Sequence, residues 1–127
     1  MKILLLYKGM NTDYKDIPAS VLMTRIGLVL SKLGMNERYA SFEYLNFIIT
    51  YMIKYSDESD EAFDSACQML MEKNSISMRA ITNGVGKLMN SCTHEQILGK
   101  PYYLQQRYGI KNKIRMIKSF VLKCNLI

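Results

Sequence analysis

Between Glu37 and Tyr55 the chain carries apolar side chains on so many sides that the segment can only be stable inside a protein. Tyr39, Phe42, Leu45, Ile48, Ile49, Met52 and Ile53 recur at the three-to-four residue spacing of a helix. They spread over a face too wide to leave in water, so this helix is expected at the centre of the fold, with others packed around it. Asn36 stands where a cap for it is needed. The preceding segment repeats the logic. Asp16-Ile17-Pro18 is a helix start, since proline is tolerated in a first turn and Asp16 can cap it. The stripe Leu22, Ile26, Val29, Leu30 and Leu33 follows, and Gly34 suits the left-handed position that closes a helix.

The polar stretch Ser56–Ser59 then breaks the pattern ahead of AFDSACQMLMEKNSISMRAITNGVGKLMNS, residues 62–91. This reads as a compact helix, a tight polar corner and a second helix. The second has an apolar side and a polar stripe of Ser75, Arg79, Thr82, Asn83, Gly86 and Asn90. Small hydrogen-bonding groups around one arginine suit a DNA major groove; a solvated face on an ordinary amphipathic helix accounts for the same pattern. Gly84 and Gly86 each cost roughly 1 kcal/mol relative to alanine inside a helix. They imply either close approach of a neighbouring helix or a sugar-phosphate backbone, or a helix that kinks or ends near Gly84.

Charge bears on that choice. Asp57, Glu58, Asp60, Glu61, Asp64 and Glu72 form an acidic run without a basic residue, most simply the solvated lead-in to the first helix of the pair. From residue 73 onward Lys73, Arg79, Lys87, Lys100, Arg107, Lys111, Lys113, Arg115, Lys118 and Lys123 face only Glu95, a balance of +9. Such a field attracts polyanions, and phosphate neutralisation supplies most non-specific affinity for DNA. Membranes, RNA and acidic proteins answer to the same charge.

The remaining segments are shorter. Thr93 with Gln96 matches a capping box, placing a short helix or turn at 94–98. Gly99-Lys100-Pro101 is a turn, and another short helix from Pro101 stops by Gly109. A last helix over 111–124 carries Ile114, Ile117, Phe120, Val121 and Leu122 on its apolar side. Ile3–Tyr7 is a strand or helical turn packed on the core, too short for the roughly 20 residues of a membrane span. With 127 residues, 49% of them hydrophobic, the expectation is one all-α domain over 1–127, a compact bundle of about six helices with a helix-turn-helix at about 62–91 and an N-terminal extension over 1–16.

Enzymatic readings find little support. His94 is the one histidine, and Cys92 two residues before it is too sparse for a structural zinc site. No phosphate-cradling glycine loop, nucleophile elbow or paired-histidine helix is present. No catalysis, cofactor or metal is expected. Cys67, Cys92 and Cys124 are odd in number and no secretory signal precedes them, so free thiols in the cytoplasm are expected. Met69, Met71, Met78 and Met89 read as core filler.

The stretch Leu33–Ile53, LGMNERYASFEYLNFIITYMI, followed by the helix pair with Ser75 and Arg79-Ala80-Ile81, resembles one family. It is similar to the C-terminal DNA-binding effector domain of sporulation-initiation response regulators, over about Ile17–Ser91, roughly 60% of the chain. That resemblance implies a bundle of about six helices around a helix-turn-helix, binding to short DNA boxes, often as tandem copies, and contact with RNA polymerase. Ala62–Met71 would be the positioning helix and Ser75–Ser91 the recognition helix, with Arg79 on the family's base-reading arginine and Ser75 on a helix-start serine. Departures are informative. Met78 replaces the usual glutamate before that arginine, Thr82 a second basic residue, and Asp64 a proline, so base preference is not expected to be inherited. Similarity fades after His94, and the 16 residues ahead of Ile17 leave no room for a receiver domain, so control by phosphorylation is not implied.

The expected function is sequence-specific binding of double-stranded DNA, most simply in transcription regulation, with replication or plasmid transfer as sibling uses. Arg79, Thr82 and Asn83 would face base edges; Lys73, Ser75, Ser77 and Lys87 would anchor phosphates. Lys111, Lys113, Arg115 and Lys118 would add backbone contacts or meet a second copy, as homodimer or in tandem. The competing expectation is a degenerate effector-like domain that binds a protein instead, which Met78, Thr82 and the helix glycines favour.

Overall fold

The computed structural model describes residues 14–55, 61–90 and 109–124. Among them a 3-10 turn, Tyr14–Asp16, leads into five α-helices and no strand: α1 (Ala19–Lys32), α2 (Ala40–Tyr55), α3 (Glu61–Asn74), α4 (Met78–Met89) and α5 (Ile110–Lys123). The short helices expected at 94–98 and after Pro101, and the run Ile3–Tyr7, lie outside the described residues.

As its wide apolar face requires, α2 is central and touches the other four helices and the 3-10 turn. Phe42, Leu45, Ile48, Ile49 and Met52 are buried, meeting Leu22, Ile26 and Leu30 from α1 and Ala66, Leu70, Val85, Ile117 and Val121 from the rest. Each fully buried aliphatic side chain contributes roughly 1.5–3 kcal/mol of transfer free energy.

The helix starts differ from expectation in two places. Asn36 does not open α2: its Oδ1 accepts the Arg38 N–H at 2.9 Å and its carbonyl the Tyr39 N–H, a local turn that delays the helix to Ala40. Tyr39, expected on the core face, is therefore 59% exposed. At α1, Asp16 belongs to the 3-10 turn and Pro18 occupies the cap position, its carbonyl accepting from Val21 and Leu22. Gly34 fulfils its expectation. With φ 100° it lets the Met35 N–H reach back to the Leu30 carbonyl and closes α1.

A feature without a sequence counterpart runs along α2. Asn46, Thr50 and Lys54, spaced four apart, are buried polar residues facing α1 and its lead-in. Asn46 Nδ2 donates to the Met23 carbonyl at 2.8 Å, Thr50 Oγ1 donates to Asn46 Oδ1 at 3.2 Å, and Lys54 Nζ donates to the Ile17 carbonyl. Gly27 makes room for it: a Cβ there would stand 3.2 Å from Asn46 Nδ2. Satisfied in this way, the three polar groups hold α1 in one register on α2.

α5 closes the other side with Ile114, Ile117 and Val121 inward, whereas Phe120 is half-buried and Leu122 is 38% exposed, each about 100° round the helix from the ridge that packs. No helix of the described residues is long and apolar enough to cross a membrane.

Candidate nucleic-acid interface

α3 buries Ala62, Phe63, Ala66, Cys67 and Leu70 and runs to Asn74, three residues beyond the expected Met71. Its end is built from polar side chains. Asn74 Nδ2 donates to the Leu70 carbonyl at 3.1 Å, and Ser75 turns to φ 54°, so that the Ile76 N–H meets the Met71 carbonyl at 3.3 Å. This is the left-handed closure that Gly34 provides for α1, carried here by a serine.

Ser75 is therefore not a helix-start residue, and the helix expected over Ser75–Ser91 begins at Met78. Ser77 is the cap: extended in backbone, its Oγ accepts the Ala80 N–H at 3.1 Å and its carbonyl the Ile81 N–H. The three-residue corner Ser75–Ser77 thus fixes the angle between α3 and α4 by a left-handed residue followed at once by a capped start.

On α4, Ile81, Val85, Leu88 and Met89 point into the core. At about 100° per residue the opposite face carries Arg79, Asn83, Lys87 and Asn90, all exposed, with Ala80 beside them. This stripe is rotated from the expected one. Thr82 is half-buried and its hydroxyl donates to the Arg79 carbonyl at 3.2 Å, while Gly86 faces the start of α5, where an added Cβ would lie 3.9 Å from Ile110 Cδ1. Lys87, expected on a flank, stands in the stripe itself. α4 has no acidic residue, and among the described residues no partner holds the side chains of Arg79, Asn83 or Lys87.

The two glycines separate. α4 does not end at Gly84 but continues to Met89, and Gly84 approaches α2 so closely that a Cβ would sit 3.2 Å from Ser41 Cβ. Close helix packing, one of the expected alternatives, accounts for Gly84.

Lys73 is exposed at the end of α3, next to the corner. The basic residues of α5 do not form one face. Lys111, Arg115 and Lys118 lie on one flank of the buried ridge and Lys113 on the other, and all four are half-buried. Lys111 Nζ pairs with Asp64 at 3.3 Å and lies 5.3 Å from the centre of the Phe63 ring; Arg115 Nη1 donates to Asn112 Oδ1 at 3.1 Å. α5 is thereby tied to the start of α3. Buried Cys67 has its pKa pushed up to about 11, first by desolvation and then by Asp64, with Lys111 opposing. The thiol therefore stays protonated and out of solvent at neutral pH. Among the described residues no three His, Cys, Asp or Glu side chains converge as metal ligands; Cys92 and His94 lie outside them.

A cleft of about 1190 Å³ opens between α1, α2 and α3, with Met23, Phe42, Tyr44, Phe47, Met69 and Leu70 among its apolar lining and Glu37, Arg38, Glu43, Glu72 and Lys73 among its charges. Beyond Phe47 an aromatic row continues through Tyr51 and Tyr55, ring centres 6.1 and 4.7 Å apart. Met69, expected in the core, is 45% exposed and lines this cleft. No protein-family profile, curated protein or solved structure matches this chain.

Proposed function

We propose that the chain is a sequence-specific DNA-binding protein of the helix-turn-helix kind that lays α4 in the major groove. The observation that carries this reading is the exposed, acid-free stripe of Arg79, Asn83, Lys87 and Asn90 on a short helix behind a tight corner. Arg79 offers the planar fork that pairs with guanine O6 and N7. Lys73 and Ser77 flank the start of α4 where a phosphate backbone would run, and capping leaves the Ser77 hydroxyl proton free to donate. Ser75 stands in the same corner, exposed and beside them. Lys113 and Arg115 serve as peripheral charge, and Lys111 acts mainly within the protein through Asp64. The resemblance to sporulation-regulator effector domains supports transcription regulation as the use, with tandem or dimeric binding and contact with RNA polymerase belonging to the same reading. Replication or plasmid-transfer roles require the same interface.

The test is fluorescence anisotropy of the full chain on duplex DNA from its host genome at two salt concentrations. Arg79→Ala is expected to cost roughly 1–3 kcal/mol on the cognate duplex and little on random duplex. Equal losses on both would reduce Arg79 to a phosphate contact. The aromatic cleft favours a second reading, a protein-binding module. Folded protein that raises the anisotropy of no duplex even at low salt would sink the DNA reading and favour that one.

A further inference from the structure

We propose that Asn83 is a second base reader, taking an adenine one helical turn from the guanine read by Arg79, so that the recognised duplex holds guanine and adenine no more than two base-pair steps apart. This rests on the DNA reading above. Arg79 and Asn83 are four residues apart on the exposed face of α4, and no described residue occupies either side chain. A carboxamide presents one donor and one acceptor side by side, complementary to the N7 acceptor and N6 donor of adenine in the major groove. The rise between the two residues is about 6 Å along the helix, against about 3.4 Å per base pair, which sets the two-step limit.

The short asparagine reads a base edge only if its helix comes close to the groove floor. Ala80, one turn before it and beside this face, is exposed and small. Thr82 is the alternative reader on this turn. It is half-buried and its hydroxyl proton is committed to the Arg79 carbonyl at 3.2 Å. Asn90 has the right chemistry but lies about 10 Å further along, where the groove curves away from a straight helix.

The experiment selects from duplexes carrying a randomised window of about one helical turn, using the full-length wild type, Asn83→Ala, Asn83→Ser and Arg79→Ala. The selected duplex is then compared with one in which the adenine pair is replaced by G·C. Wild type is expected to enrich guanine and adenine within two positions and to prefer the A·T duplex by about 5- to 150-fold. Both Asn83 variants lose that preference and keep the guanine; Arg79→Ala does the reverse. Retention of the adenine preference by the Asn83 variants, or a wild-type motif without that pair of bases, overturns the assignment and leaves DNA binding standing. Absence of any enrichment with wild type at low salt defeats the DNA reading and the assignment together.

Discussion

Ser75 holds φ 54°, a conformation that costs a residue with a Cβ about 1–2 kcal/mol, while Ser77 two positions later spends its hydroxyl on the Ala80 amide. Ser77→Ala is expected to cost about 1 kcal/mol by urea unfolding, and Ser75→Gly to cost nothing or to stabilise, relief of strain offsetting the added freedom of the unfolded chain. The reverse order would return the helix start to Ser75. This distinction was not legible in the sequence, because SIS offers two equivalent serines and only the path of α3 decides which turns left-handed. Gly34 was legible since glycine has no competing role at that position. Cys67 carries a different consequence. Its folded pKa of about 11 exceeds the ordinary thiol value of 9.0, so the folded state keeps the proton that the unfolded state releases. Stability therefore falls as pH rises from about 9 towards 11. Cys67→Ala should remove that part of the decline, and identical alkaline slopes for the two proteins would refute it.

α4 owes its placement to small residues at its crossing with α2. Gly84→Ala gains about 1 kcal/mol of helix propensity, but its new methyl meets Ser41 Cβ at 3.2 Å, an atom fixed to the backbone of α2 that cannot rotate away. The expectation is no net stabilisation from Gly84→Ala. Gly86→Ala, whose nearest neighbour at 3.9 Å is the flexible tip of Ile110, is expected to gain about 1 kcal/mol in the same unfolding measurement. Equal gains would mean that α2 and α4 are not in close contact. Helix period alone gave α4 one apolar side, and the residues buried there are Ile81, Val85, Leu88 and Met89. It could not distinguish Thr82 from Asn83, which adjoin in sequence. The difference lies in where neighbouring helices cover the flank of α4.

Charge acts over the assembled surface, and its sequence total overstates what is available to a ligand. Lys111 is already paired with Asp64, an exposed bridge worth under about 1 kcal/mol, whereas no described residue holds Lys87. Lys87→Ala is expected to lower the slope of log K against log salt by about 1 on every duplex, and Lys111→Ala by less. A larger change for Lys111 would place the flank of α5, rather than the stripe on α4, against the phosphates. The all-helical class, the central position of α2 and most of the inward residues of α1, α2 and α5 could be read from the chain, because hydrophobic burial follows a 3.6-residue period that depends only on local order. Which polar residues stay free was settled by packing. Asn46, Thr50 and Lys54 look like surface residues in sequence and are buried against α1, while Met69 looks apolar and lines an open cleft. Hydrogen-bond partners and exposure depend on residues distant along the chain, so the narrowing of the polar stripe to Arg79, Asn83, Lys87 and Asn90 emerged only once α2 and α5 were in place around α4.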